Sequence, residues 1–160
     1  MKICLLWVGR TKDGNLGAAI RGYIERIGRY IPVEVLEVKE EVAADRHSQT
    51  EARNKEGRRL REKIPADTEV ALLDPGGRQY SSEEFSRFLE KRFGASSSTH
   101  KGLTFLIGGH LGVDEDTRKI AHHTISLSRM TFTHEMARLV AVEQIYRGLS
   151  IMHGGRYHRS

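Results

Sequence analysis

Short apolar or alternating runs and longer runs with helical spacing follow one another along this chain. Apolar residues that recur every three or four positions predict helices, and short apolar or alternating runs predict strands. The predicted strands cover residues 2–8, 33–38, 69–73, 102–107 and 124–127. The predicted helices cover residues 16–30, 48–64, 82–92, 114–121 and a long last segment from 133 onward. Such alternation is typical of a single α/β domain with a mainly parallel sheet, here over residues 1–160.

Polar residues predict where several of these helices begin. Ser81 and Glu84 have the spacing of a capping box, and Asp114 and Thr133 are suitable N-caps for the last two helices. Gly57 lies inside the second predicted helix, where glycine costs about 1 kcal/mol relative to alanine. We therefore expect Gly57 to mark a place where another part of the chain packs closely.

The last predicted helix is apolar on nearly every side over residues 136–142. A helix of this kind is buried, either in a core or between subunits. It also carries His134, Arg138 and Glu143, and such groups are costly to bury unless they are paired or used. Glu143 and Arg147 have the spacing of a stabilising ion pair. We therefore expect a functional site where this helix begins.

Three loops of suitable composition follow predicted strands, over residues 74–78, 108–112 and 126–131. The first of them, Asp-Pro-Gly-Gly-Arg, predicts a turn. Ligands of parallel sheets lie beyond the carboxyl ends of the strands, and glycines let a backbone approach a ligand closely. The GGxxG pattern of residues 108–112 is not the GxGxxG of dinucleotide-binding proteins, and no acidic residue ends the next strand. Taken alone, it fits a ligand-binding turn or a simple tight turn.

Composition adds moderate constraints. Lys and Arg exceed Asp and Glu by 26 to 21, a net charge of +5, which allows a polyanionic partner without requiring one. Arg53, Arg58, Arg59 and Arg61 are candidate phosphate contacts, although a solvated helix face is the default interpretation. No apolar run is long enough to span a membrane, and the single Cys4 fits a reducing compartment. We therefore expect a cytoplasmic protein without a membrane segment.

The histidines have no spacing typical of metal ligands, and Arg138 breaks the zinc motif HExxH that would begin at His134. We therefore predict no metal site. The tail residues Tyr157, His158 and Arg159 offer an aromatic ring, a proton carrier and a guanidinium within three positions. By composition alone this tail is a frayed chain end.

Five motifs occur in order along the chain: LDPGGR, FLIGGHLG, ISLSRMTFTH, EQIYR and YHR, which begin at residues 73, 105, 125, 143 and 157. In order, spacing and total length they resemble a family of small bacterial methyltransferases of the SPOUT class. Members of that family methylate N3 of a pseudouridine in large-subunit ribosomal RNA. Two positions depart from its pattern, since Thr133 stands where proline is common and His110 where the residue is usually small. The His110 imidazole can touch the methyl donor or the RNA.

The resemblance implies a carboxyl-terminal trefoil knot, a homodimer and S-adenosylmethionine as methyl donor. It also implies that the substrate is a pseudouridine in a stem-loop of 23S rRNA, reached in the assembled ribosome. We expect catalytic roles for His134, Tyr157, His158 and Arg159, with the tail of one subunit completing the site of the other. His134, His158 or water accepts the N3 proton. Cofactor contacts are implied for Leu73, Gly109, Ile125, Ser126, Leu127, Ser128, Arg129 and Met130.

Three other interpretations stay open. The first is a nucleotide-dependent oxidoreductase that uses residues 108–112, and the missing acidic ribose partner argues against it. The second is a protein that binds RNA or the ribosome without a cofactor. The third is a SPOUT enzyme that modifies transfer RNA or another base. Only the YHR tail and the EQIYR helix favour the ribosomal substrate over the third.

Overall fold

The computed structural model describes residues 1–94 and 100–154, which form a five-stranded sheet covered by helices on both faces. All neighbouring strands are parallel, in the order β2-β1-β4-β3-β5. The strands are β1 Lys2–Val8, β2 Val33–Val38, β3 Thr68–Arg78, β4 Gly102–Ile107 and β5 His123–Ile125. The helices are α1 Gly14–Gly28, α2 Arg46–Lys63, α3 Ser82–Phe93, α4 Glu115–Lys119 and α5 His134–Met152. The predicted α/β class and the parallel sheet are confirmed.

Two apolar layers hold the helices to the sheet, and the alternation of side chains along β1 separates them. Ile3, Leu5 and Trp7 lie in the layer under α1, α3 and α5. Leu6 and Val8 point to the opposite face, under α2. Because helices cover both faces of the sheet, the sequences of β1 and β4 are almost continuously apolar instead of alternating.

The segment predicted as a turn over residues 74–78 instead belongs to β3, and that prediction was wrong. Leu73 and Arg78 both pair with Ile125, so the residues between them bulge out of the ladder. A Cβ at Gly77 would lie 2.6 Å from the backbone nitrogen of Ile125, so only glycine permits this approach. The Pro-Gly-Gly composition is shared by turns and bulges, and the pairing that distinguishes them is not local in sequence.

Helix boundaries follow the predicted capping residues. The Ser81–Glu84 capping box and the Asp114 and Thr133 N-caps are confirmed, as is the Glu143–Arg147 ion pair at 3.0 Å. The first two helices begin two residues earlier than predicted, because the Asp13 and Asp45 side chains accept hydrogen bonds from their first-turn backbone. β5 ends at Ile125 instead of continuing to residue 127.

Helix α5 is buried on its inner face and half-buried on its outer face. Ala141, Val142, Ile145 and Leu149 are buried against the sheet and α1 and α3, and Leu139 lies on the half-buried side. Within one chain, the prediction that this helix is buried all round is therefore met only on its inner side.

No helix in the described part of the chain combines the length and apolar character needed to cross a membrane. The trefoil knot stays a prediction.

Candidate active site

The three predicted loops converge on one cleft beyond the carboxyl ends of β3 and β4. This strand-end cleft has a volume of about 440 Å³, within the range of small-molecule sites. Its wall includes residues from the β3 bulge, from the turn over residues 108–112 (the glycine turn), from the loop before α5 and from α5 itself. Representative lining residues are Leu73, Pro75, Gly109, Ser128, Phe132 and His134.

A second, smaller cavity of about 220 Å³ adjoins the strand-end cleft. Leu73 and Leu127 line both, so the two form one continuous wall. We call the second cavity the aromatic pocket, because rings and the apolar side of α5 surround it. It is lined by Tyr80, Phe85, Phe105, Val140, Ala141 and Gln144, among others. Sequence reasoning missed these residues, because their spacing marks them only as core positions.

The predicted cofactor residues divide between the two cavities. Gly109, Ser128 and Met130 line the strand-end cleft, and Ile125 and Ser126 line the aromatic pocket. Leu73 and Leu127 lie where the two meet, whereas Arg129 lines neither. The structure therefore brings seven of the eight predicted residues together around one site. Their roles as ligand contacts stay predictions.

Hydrogen bonds within the loop before α5 fix its shape. The Ser126 hydroxyl donates to the Ser128 carbonyl at 2.9 Å, and the Ser128 hydroxyl accepts from the Met130 backbone at 3.0 Å. The Ser126 backbone N–H donates to the Arg78 carbonyl at 2.9 Å. Both serine side chains therefore shape the loop, which leaves backbone groups as the main polar contacts it can offer a ligand.

The glycine turn depends on two of its glycines for its conformation. Gly112 has a φ of 74°, a region that side-chain-bearing residues rarely adopt, and its N–H donates to the Gly109 carbonyl at 3.0 Å. A Cβ at Gly108 would lie 2.9 Å from Val113 Cγ1 and 3.0 Å from the backbone of Gly112. Glycine at positions 108 and 112 therefore allows both the tight turn and the close packing of the chain beside the cleft.

His134 is the titratable side chain of α5 that faces the strand-end cleft. Burial, together with the Arg138 cation one turn on, lowers its pKa below the ordinary 6.5. The imidazole is therefore neutral at pH 7 and can accept a proton. His110 also lines the cleft, and its Nδ1 lies 3.3 Å from the Glu40 carboxylate.

The first turn of α5 is held against the loop that follows β1. Glu135 accepts hydrogen bonds from the backbone N–H groups of Lys12, at 2.5 Å, and Asp13, at 3.3 Å. Arg138 is fully buried, donates to the Thr11 hydroxyl at 3.0 Å and to the Val8 carbonyl, and lies over the Trp7 ring. Hydroxyl and backbone oxygens therefore partner two nitrogens of this guanidinium, whereas its buried Nε has no hydrogen-bond partner among the described residues. The two bonds fix the helix that carries His134.

Two of the four candidate phosphate contacts on α2 are engaged within the protein. Arg61 pairs with Asp114 at 2.8 Å, and Arg59 pairs with Glu41 and donates to the Lys39 carbonyl at 3.0 Å. Arg58 is exposed, so it keeps the predicted possibility of an RNA contact. The four arginines therefore stay candidate phosphate contacts, two of which already have partners within the chain.

Tyr157, His158 and Arg159 lie outside the described residues, so their expected catalytic roles stay predictions. Within residues 1–94 and 100–154, no group of three His, Cys, Asp or Glu side chains is arranged to hold a metal ion. The described site therefore consists of a cleft with backbone-rich walls, an adjoining aromatic pocket and a neutral histidine. Such a site can hold a ligand with a flat ring and a polar arm, and can remove a proton from a second molecule.

Comparison with known proteins gives matches along nearly the whole chain. A family described as "Predicted SPOUT methyltransferase" matches residues 1–158. The ribosomal RNA large subunit methyltransferase H of Syntrophotalea carbinolica is 43% identical over 158 residues, which cover 99% of each chain. The protein of the same name from Enterococcus faecalis is 41% identical over 162 residues, covering 99% of this chain and 100% of that protein.

Among solved structures, the chain resembles a probable methylase family protein from Haemophilus influenzae Rd KW20. The TM-score is 0.57 and the sequence identity 12%, with 99% of this chain and 70% of the other covered. At this identity the likeness concerns the fold alone.

Proposed function

Because the chain belongs to the SPOUT methyltransferase family, we propose that it methylates N3 of a pseudouridine in 23S rRNA. The family resemblance drawn from its motifs is confirmed, and with it the assignment as a methyltransferase. S-adenosylmethionine is the methyl donor that this family implies. The ribosomal substrate is supported by relatives of almost equal length that are named for large-subunit RNA methylation. The observation that carries the proposal is the convergence of the β3 bulge, the glycine turn, the loop before α5 and His134 on one cleft.

The shape of the site fits the methyl donor. The aromatic pocket offers apolar and ring surfaces to the adenine, and the strand-end cleft offers backbone groups of the glycine turn to the methionine part. Leu73, Gly109 and the segment over residues 125–130 would hold it. A Cβ at Gly109 would lie 3.2 Å from Val8 and 3.4 Å from Glu56, so glycine lets this turn pack closely against β1 and α2.

His134 is the described side chain suited to accept the N3 proton of the acceptor. When bound, S-adenosylmethionine would supply an electrophilic sulfonium methyl group for transfer to N3. His134 holds the departing proton on its imidazole, and Glu135 and Arg138 keep the first turn of α5 in place while it does so. Alignment of the acceptor against the donor accounts for much of the acceleration.

We place a homodimer and a shared site within the same proposal. The half-buried side of α5 carries apolar residues such as Leu139, and a second copy of the chain would cover them. The tail that follows α5, with Tyr157, His158 and Arg159, would then reach the cleft of the partner. Arg159 would hold a phosphate or orient the base.

Calorimetric titration with S-adenosylhomocysteine and with NAD tests the cofactor part of the proposal. We expect saturable binding of S-adenosylhomocysteine and none of NAD. Gly108→Val should abolish the binding, because its side chain would enter Val113 and the backbone of Gly112. Gly22→Ala is the matched control, since nothing lies within 4 Å of a Cβ at that position. Binding of NAD alone would favour the oxidoreductase, and binding of neither would favour a protein that only binds RNA.

A further inference from the structure

Glu56 is a buried carboxylate on a helix that is otherwise mostly polar and solvated. Its side chain is 1% exposed, whereas the charged neighbours Lys55 and Arg58 are exposed. A carboxylate in such a place is destabilising unless it makes specific contacts. Burial accordingly raises the pKa of Glu56 above its ordinary value.

The two carboxyl oxygens of Glu56 face different parts of the site. Oε1 accepts a hydrogen bond from the backbone N–H of Glu41 at 2.9 Å, which ties α2 to the loop after β2. Oε2 is buried without a hydrogen-bond partner among the described residues and lies 3.4 Å from where a Cβ of Gly109 would be. The carboxyl group therefore lies directly behind the wall of the strand-end cleft. Because Oε2 has no accessible surface, a ligand in the cleft cannot contact it directly.

The next residues of α2 hold the other end of the same segment. A Cβ at Gly57 would overlap the Asp114 carboxylate, and Arg61 pairs with that carboxylate at 2.8 Å. The part of α2 from Glu56 to Arg61 thus lies against both ends of the segment from Gly109 to Asp114. This segment includes the glycine turn and the N-cap of α4.

We propose that Glu56 is a positioning residue that supports the glycine turn from behind and thereby sets the place where its backbone meets the methyl donor. This inference rests on the proposed function, since it assigns a role to a residue behind the proposed cofactor site. The ionisable groups around Glu56 are Glu40 and Glu41 on the loop after β2 and His110 on the glycine turn. An apolar residue would fill the same space, but it would leave the Glu41 N–H without its acceptor.

Four variants separate positioning from stability. Glu56→Ala removes the support, and Glu56→Gln keeps its volume and the acceptor for Glu41. Leu60→Ala creates a cavity one turn further on the same helix, in the apolar layer under α2, and leaves the Glu56 carboxyl group in place. Glu62→Ala, on the exposed side, is the surface control. Calorimetry gives the dissociation constant of S-adenosylhomocysteine, and urea unfolding gives the stability of each variant.

We expect Glu56→Ala to weaken cofactor binding at least about tenfold, which corresponds to roughly 1.4 kcal/mol. Glu56→Gln, Leu60→Ala and Glu62→Ala should each bind within about threefold of the unchanged protein, although Leu60→Ala loses stability. Equal binding by Glu56→Ala and Leu60→Ala would overturn the inference, as would a Gln variant as weak as the Ala variant. If the unchanged protein fails to bind S-adenosylhomocysteine, the proposed function itself fails, which is a distinct result.

Discussion

Three polar residues at the start of α5 have different roles at this site, namely His134, Glu135 and Arg138. His134 faces the cleft, Glu135 accepts hydrogen bonds from the backbone before α1, and Arg138 fills a buried space beside Trp7. None of the three is interchangeable with its neighbour, because each points to a different part of the molecule. The sequence predicts that His134 and Arg138 must be paired or used, but not which is paired and which is used.

The pH dependence of methyl transfer tests the role of His134. Burial and the Arg138 cation lower the pKa of His134, so the neutral imidazole should persist, and activity should hold, to a lower pH than for an ordinary histidine before it falls. Replacing His134 with Ala should lower kcat by about 10²-fold or more and remove this acidic limb. His47→Ala, on the exposed start of α2, serves as control. An unchanged kcat and pH profile in the His134 variant would show that another group takes the proton.

At the level of elements, most boundaries could be predicted because their causes are local. Capping side chains and apolar spacing are properties of a few neighbouring residues, which is why α3 and α5 begin at the expected positions. The bulge at the end of β3 could not be predicted, since it depends on pairing with Ile125 about fifty residues later. The aromatic pocket could not be predicted either, because residues that line a core and residues that line a ligand pocket have the same apolar pattern in the sequence.

Helix α2 provides the test at this scale, through two glycine-to-alanine changes. Gly57→Ala should lower the free energy of unfolding by about 1–3 kcal/mol, because the new methyl group overlaps the Asp114 carboxylate. Gly22→Ala, in α1 with free space around it, should raise stability by about 0.4–1 kcal/mol. Urea unfolding measures both. A Gly57 variant as stable as the Gly22 variant would mean that α2 does not pack closely against the segment before α4.

For the whole molecule, the described chain forms the cleft, and the proposed dimer and shared site concern a second copy of the chain. The outer side of α5 is half-buried, and the tail residues expected to complete the site lie beyond the described residues. Fold class and the meeting of three loops follow from the alternating pattern of strands and helices. The arrangement of subunits does not follow from the sequence pattern, because an apolar helix face has the same pattern whether its own core or a second copy of the chain covers it.

Complementation between two inactive variants tests the shared site. A chain truncated before residue 157 keeps His134, and the His134→Ala chain keeps its tail. If the tail acts on the partner, mixed dimers contain one complete site, and activity should return to about one quarter to one half of the unchanged dimer. This estimate assumes that subunits exchange freely and that each complete site works independently. No recovery in dimers shown to be mixed would place the tail in the site of its own chain.

The central claim, methylation of a ribosomal pseudouridine in this cleft, is tested most directly by mapping the product. Ribosomes that lack the modification are incubated with the protein and isotopically labelled S-adenosylmethionine, and the 23S rRNA is digested to nucleosides for mass spectrometry. The account predicts one labelled nucleoside, N3-methylpseudouridine, from a single stem-loop, and none with Gly108→Val. Label in transfer RNA, at another base, or nowhere in the ribosome would contradict it.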